Sequence, residues 1–315
     1  MIRYAHFLFL VLLSGSAFGQ DSTFFIKRNL NSSLIQSYEP NTIGLTKDDD
    51  DVGFMEFKVS VKSPIVFEYF YWLYEKSGGF TPFPYFAFTG RFGQYIGTRN
   101  SSPVIGKRFN PKLFFLFNVK QSYLESFEVS IGHESNGQKV DSLNTFNDLA
   151  SDEEKPQYAY DYLSRGWDYV ELNSKFNYEA SFPYMLDVEQ YLSFKYFLPY
   201  GPMQGKPEEY NLWENNPEGK IRSEVNGIYL LSKLTASSVM HVKNAENVII
   251  KYGIKYALIL ETGYTKPFKF VSQRHELTLN LLGFPMMVYY SNGYNSDLAQ
   301  YFKRVESWGI ALELM

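Results

Sequence analysis

The chain has no cysteine, which excludes disulfide frameworks, thiolate zinc sites, redox motifs and cysteine nucleophiles. Histidine is scarce, at four residues. No stretch holds the roughly 18–20 uninterrupted apolar residues that a membrane-spanning helix needs. Basic runs are also missing: 30 Lys and Arg stand against 34 Asp and Glu, for a net charge of −4, so no nucleic acid partner is expected. What the chain has in excess is aromatic. Its 28 Phe, 26 Tyr and 4 Trp make up 18% of the residues, and such side chains fit pleated surfaces and membrane interfaces. A length of 315 residues allows two ordinary domains or one large all-β barrel, and this composition favours the barrel.

Residues 1–19 read as a secretory signal peptide, with Arg3, an apolar run over 7–13 and the triplet Ala17, Phe18, Gly19 before an expected cut at Gln20. Residues 20–51 show no period and read as an N-terminal leader segment; the run Asp48, Asp49, Asp50, Asp51 fits a solvated charge cluster, because a calcium loop would need alternating oxygen ligands and a turn glycine. The expected barrel domain is 52–315. A protein that enters a membrane without apolar helices does so as a closed barrel.

Alternation carries that expectation. Over 54–62, Met55, Phe57, Val59 and Val61 share one face while Glu56, Lys58, Ser60 and Lys62 share the other. Over 186–196, Leu186, Val188, Leu192, Phe194 and Tyr196 oppose Asp187, Glu189, Ser193 and Lys195. Similar patterns run at 248–260, 277–281 and 308–314, separated by turn-rich stretches such as 201–217. A soluble sandwich would alternate too. The segment lengths suit membrane strands, and polar faces with charges of both signs suit a narrow lumen filled by side chains. Eleven or twelve strands are expected from residue 53 onward.

Among the histidines, His133 stands out. Phe127, Val129, Ile131, His133 and Ser135 share one face of a strand, so the apolar stripe ends in a histidine and a serine. Residues two apart on a strand lie on the same side, which puts the His133 base within reach of the Ser135 hydroxyl. On the next strand Asp168 has the parity of Val170, Leu172, Phe176 and Tyr178. In a membrane barrel all three polar residues would face outward at the rim, where a hydrolase site would meet acyl lipids. On spacing alone, three interfacial polar residues with no joint role account for the pattern equally well. His241 and His275 belong to no such constellation and read as rim or loop residues. The aromatic clusters at 67–74 and 83–88 read as interfacial anchors.

The string His133-Glu134-Ser135-Asn136-Gly137, followed by Ser164-Arg165-Gly166-Trp167-Asp168, resembles the active-site signature of the outer membrane phospholipase A family. The stretches Ser101-Ser102-Pro103 and Pro111-Lys112-Leu113-Phe114, and the C-terminal run 293–315, are similar to that family as well. The resemblance implies an antiparallel transmembrane β-barrel of twelve strands in the outer membrane of a Gram-negative cell. It implies a calcium-dependent phospholipase, of A1 and A2 type, that acts on phospholipid as a homodimer. His133 matches the family's base and Ser135 its nucleophile. Gly137 matches the backbone N–H donor of the oxyanion hole, and Ser164 a calcium-ligating serine. Gln138 stands where a backbone carbonyl ligates the ion, and Ser101 or Ser102 where a serine of the partner subunit completes the site.

Four departures accompany this resemblance. Asp168 stands where the family uses Asn; since either oxygen can orient the histidine, a mild loss is expected for Asp168→Asn. The segment between Gly137 and Ser164 is long and carries Asp141, Asp148, Asp152, Glu153 and Glu154, carboxylates that would replace or supplement the expected calcium ligands. Gly90 lies where a glutamine at the dimer contact is expected, and the chain ends in Met315 where outer membrane barrels commonly end in an aromatic residue. The alternative function is a non-enzymatic barrel, a pore or structural protein with a degenerate site. A pore should hold few oppositely charged lumen residues, whereas the inferred inner faces carry Glu56, Lys58, Lys62, Asp187, Glu189, Lys195, Arg165, Glu171 and Lys175.

Overall fold

Strict alternation over most of the chain makes every strand two-faced, and a sheet with one apolar and one charged face is stable when it closes with the charges inside. The computed structural model describes residues 35–314, apart from 51, 66–75, 77–81, 99–103, 122, 141, 154, 182–184, 204–219, 242–248 and 282–283. The strands are β1 (Gln36–Ser37), β2 (Asn41–Asp48), β3 (Gly53–Pro64), β4 (Phe83–Ile96), β5 (Ile105–Gln121) and β6 (Leu124–Ser135). They continue as β7 (Gly166–Ser181), β8 (Met185–Phe197), β9 (Gly227–His241), β10 (Ile249–Gly263), β11 (Ser272–Leu281), β12 (Phe284–Gly293) and β13 (Val305–Leu314). Each of β2 to β13 pairs antiparallel with its sequence neighbour, and β13 pairs with β2 from Ser307↔Asp48 to Leu314↔Asn41, closing a twelve-stranded barrel. The two-residue β1 pairs with β3 beyond the end of β2, as an interrupted extension of that strand.

One boundary differs from expectation. The supposed leader 20–51 contributes a full barrel strand, β2, so the barrel starts before residue 52. Its outward set is only Ile43 and Leu45, followed by Lys47, and the inward positions are Thr42, Gly44 and Thr46. Two apolar residues are too few to show a period. The signal segment 1–19, the aromatic cluster 67–74, and Ser101 and Ser102 lie outside the described residues.

The outer wall is apolar and exposed: Val129, Ile131, Val170, Leu172, Leu192, Phe194, Ile254, Val288, Ile310 and Leu312 all project outward. The inner wall is charged and paired. Arg91 donates twice to Glu56, Lys112 meets Glu171 at 3.0 Å, Lys195 meets Glu134 at 3.3 Å and Lys233 meets Glu189 at 3.4 Å. A lumen cavity of about 1040 Å³ lies among these side chains.

At the end of the barrel with most of the long loops, the lumen is capped by an apolar layer. Trp167, Tyr169 and Phe197 from the wall pack against Val225, Leu298, Tyr301 and Phe302 from the loops. The insertion after β6 folds into helix α1 (Leu143–Asp152) and a 3₁₀ segment over Pro156–Tyr162. Ser142 caps α1 by accepting from the Thr145 N–H, and α1 turns Phe146 onto Val140, Ala159, Leu163 and Ala299. The short helix α2 (Arg222–Val225) supplies Arg222 to the interior, where it donates to Glu134 at 2.6 Å and to Asn295. Asn295 also accepts from Arg108 and donates to Glu261 at 2.5 Å, tying the β12–β13 loop to the wall.

Candidate active site

The rim of β6 and β7 holds the three polar residues singled out from sequence, and their parity is outward. In the β6–β7 ladder His133 is directly opposite Asp168, and Ser135 directly opposite Gly166. Glu134, Trp167 and Tyr169 between them point inward and are buried. The His133 Nδ1 lies 2.6 Å from Asp168 Oδ1. Asp168 is 1% exposed although it faces outward, because residues 198–203 fold over it: its Oδ2 accepts the Met203 N–H at 2.7 Å and its backbone carbonyl accepts the Leu198 N–H at 2.8 Å.

The other ring nitrogen is aimed by a missing side chain. A Cβ built on Gly166 would sit 3.1 Å from His133 Cε1 and 3.3 Å from Nε2. The Nε2 edge therefore lies over Gly166, at the level of the residue across from it, Ser135. Directly opposite strand positions carry Cβ atoms about 4.5–5.5 Å apart, so Nε2 and the serine hydroxyl share one small region of the outer surface. Among the described residues, the Ser135 hydroxyl is not hydrogen-bonded to His133; a nucleophile and its base often approach loosely until substrate is present.

Gly137 follows in a left-handed conformation, φ +67°, and a Cβ there would meet the Phe109 ring at 3.0 Å. The turn before it is pinned by Asn136, whose Oδ1 accepts the Arg165 N–H at 2.9 Å and whose Nδ2 donates to the Leu163 carbonyl at 2.6 Å. That brace gives Asn136 a structural job which its place inside the motif did not disclose. Ser164 sits on the facing chain, its N–H bonded to the Val140 carbonyl at 2.7 Å. Gln138 lies in the same turn and is half-buried.

A calcium ion takes six to eight hard oxygen ligands and gains affinity from carboxylates. Around Gly137 the described residues offer neutral oxygens, the Ser164 hydroxyl and the Gln138 carbonyl. Asp148 and Asp152 of α1 are exposed, and no group of three His, Asp or Glu that could hold a metal occurs among the described residues. Ser164 and Gln138 thus supply hard oxygens, the donor type that a calcium ion takes, with no carboxylate between them. Asp141 and Glu154 lie outside the described residues.

Beside Ser135 the outer wall turns aromatic. Phe109 of β5 is registered with Ser135 on one side and Gly90 of β4 on the other, and stacks on Phe88 and Phe92 at centroid distances of 6.3 and 6.4 Å. Gly90 thus leaves room for rings. Far around the barrel, His275 faces outward from β11 and its Nδ1 lies 2.7 Å from the Tyr256 hydroxyl, remote from the His133 pair. The His241 side chain lies outside the described residues.

No protein-family model matches this sequence, and no curated protein matches it. Solved structures do. An active-site mutant of outer membrane phospholipase A from Escherichia coli superposes with a TM-score of 0.56 at 13% identity, over 90% of this chain and 93% of that one. Another structure of the Escherichia coli protein gives 0.54 at 12% identity over the same shares. The Salmonella typhi outer membrane phospholipase dimer with bound calcium gives 0.54 at 13% identity, over 90% of this chain and 94% of that one. At such identities the likeness is one of fold: this chain is a twelve-stranded barrel built like theirs.

Proposed function

We propose that this protein is an outer membrane phospholipase of type A1 and A2 that hydrolyses acyl esters of phospholipids. The observation that carries the reading is the outward-facing His133–Asp168 pair at 2.6 Å, with Ser135 on the same face, where an ordinary barrel presents only apolar side chains to lipid. The similarity of fold to outer membrane phospholipases supports it. In this reading Ser135 Oγ attacks the acyl carbonyl while His133 Nε2 takes its proton. Asp168 holds the ring and stabilises the imidazolium. The carbonyl oxygen becomes an oxyanion beside the Gly137 N–H. His133 then gives the proton to the departing alcohol; a water deprotonated by the same nitrogen attacks the acyl carbonyl, and His133 passes that proton to Ser135 Oγ as the fatty acid leaves. Phe88, Phe92 and Phe109 offer the acyl chain an apolar wall next to the nucleophile.

Ser164 and Gln138 would hold calcium, with Ser101 or Ser102 of the partner subunit in a homodimer; bound there, the ion supplies positive charge close to the developing oxyanion. The alternative of a passive pore is opposed by the apolar cap over the lumen and by the ion pairs within it. The test is fatty acid release from phospholipid in mixed detergent micelles, with calcium and then with chelator. Calcium-dependent release is expected. Absence of release from folded protein in the presence of calcium would overturn the assignment.

A further inference from the structure

The least exposed member of the outward trio is Asp168, and what covers it is backbone. Its two carboxylate oxygens are engaged by different groups: the His133 Nδ1 lies 2.6 Å from Oδ1, and the Met203 N–H donates to Oδ2 at 2.7 Å. The Leu198 N–H anchors the same loop to the Asp168 carbonyl, so 198–203 is held at both ends of that residue. Gly201 lies so close that a Cβ would fall 1.9 Å from Oδ2 and 2.1 Å from the Asp168 Cβ. Only a residue without a side chain allows this approach.

We infer that loop 198–203 is a clamp, with Gly201 and the Met203 N–H as its positioning elements, that requires a carboxylate at 168 and thereby sets the tautomer of His133. A carboxylate accepts through both oxygens, so the ring nitrogen facing it is the one that carries the proton, and Nε2 is left as the acceptor toward Ser135. An amide at 168 has one oxygen and one NH₂. With the Met203 N–H fixed, the amide oxygen turns to Met203 and the NH₂ faces His133, which then holds its proton on Nε2 and cannot accept from serine. The opposite orientation sets two donors face to face in a buried place. The mild loss expected for Asp168→Asn from sequence is therefore replaced by a large one.

The inference rests on the phospholipase reading for its catalytic consequence, but the tautomer is measurable without activity. The experiment is ¹⁵N spectroscopy of His133 in the full chain in detergent micelles, alongside kcat and KM on phospholipid. The wild type should show the Nδ1–H form. Asp168→Asn should show the Nε2–H form with kcat down about 10³- to 10⁴-fold, as for the analogous change in serine proteases, and KM moved less than about threefold. Gly201→Ala should mix the two tautomers and lower kcat by about 10- to 100-fold. An Nδ1–H signal retained in Asp168→Asn would overturn the clamp, as would wild-type kcat and tautomer in Gly201→Ala. If Gly201→Ala does not fold, the Asp168→Asn spectrum decides alone. A wild type that shows the expected tautomers but releases no fatty acid would refute the function and leave the clamp standing.

Discussion

Gly166 stands directly across the β6–β7 ladder from Ser135, and the space above its Cα is where the His133 ring lies. The ring reaches the serine's level because nothing occupies that space. Gly166→Ala places a methyl 3.1 Å from Cε1 and 3.3 Å from Nε2, so the ring must give by a few tenths of an ångström. A drop of about tenfold in kcat is expected for Ala, and of about 10²- to 10³-fold for Val, since displacement of a catalytic group by about 1 Å costs roughly 10². Heat-modifiable migration on gels should be unchanged in both. Full activity in Gly166→Val would mean that the Nε2 edge does not work over this position.

Ser135→Ala and His133→Ala should each abolish hydrolysis while the barrel still folds. The two act as one unit, and loss of either member of such a unit costs several orders of magnitude, with the double variant little worse than the singles. Fatty acid release by folded Ser135→Ala at near wild-type rate would remove the nucleophile from the scheme.

The barrel and the outward face of the site were legible because β-structure writes itself with period two, and a break in the period at a rim is a chemical signal. His133 and Ser135 interrupt an apolar stripe whose lower members, Val129 and Ile131, are 47% and 44% exposed on the outer wall. What stayed hidden lacks a period. Strand β2 has two outward apolar residues; the cap residues Leu298, Tyr301 and Phe302 come from a loop; the clamp on Asp168 is a backbone N–H and an absent side chain. Backbone donors leave no mark in the identity of residue 203. Only Gly201 did, and a glycine in a Gly- and Pro-rich stretch reads as an ordinary turn.

Calcium should drive self-association if the ligands come from two subunits, Ser164 and Gln138 on one and Ser101 or Ser102 of the partner subunit. An ion that binds the dimer and not the monomer shifts the equilibrium by mass action. Sedimentation in detergent should show more dimer with calcium than with chelator, and Ser164→Ala should weaken the response. Identical distributions in both conditions would refute a shared site. Deletion of 141–154 tests whether the acidic insertion supplies ligands: calcium dependence should survive it.

Directly behind the site, the inward Glu134 is 0% exposed and is held by Arg222 at 2.6 Å and Lys195 at 3.3 Å. Arg222→Met leaves a buried carboxylate with one weaker partner. Breaking such a pair costs about 3–5 kcal/mol, and the remaining lysine places the expected loss near the lower end, about 3 kcal/mol. Adding Glu134→Gln should recover much of that, because the charge left unpaired is removed along with its partner. Urea unfolding of the three proteins in the same detergent measures it. A double variant as unstable as the single one would show that Arg222 acts through its packing on Trp167 and Phe197 and not through charge.

The capping loop between β12 and β13 carries a pH dependence of its own. Burial raises the Asp297 carboxyl above the usual aspartate range, against the pull of Lys107 and of the Ala299 N–H that donates to it at 2.8 Å. A carboxyl whose folded pKa lies above its unfolded value binds its proton more tightly in the folded loop. The loop is therefore most stable below the unfolded pKa and loses stability as pH rises through the folded one. Asp297→Asn removes the titration while its side-chain oxygen keeps the bond to Ala299. Hydrogen exchange over 294–304, corrected for the intrinsic rate, should show the wild-type loop opening more readily as pH rises from the acid range toward neutrality. In Asp297→Asn the opening should be flat with pH and, at neutrality, rarer than in the wild type. A variant loop that keeps the wild-type slope would show that some other group titrates, and one that opens more at every pH would show that Asp297 is needed as a charge, held by Lys107, and not tolerated at a cost.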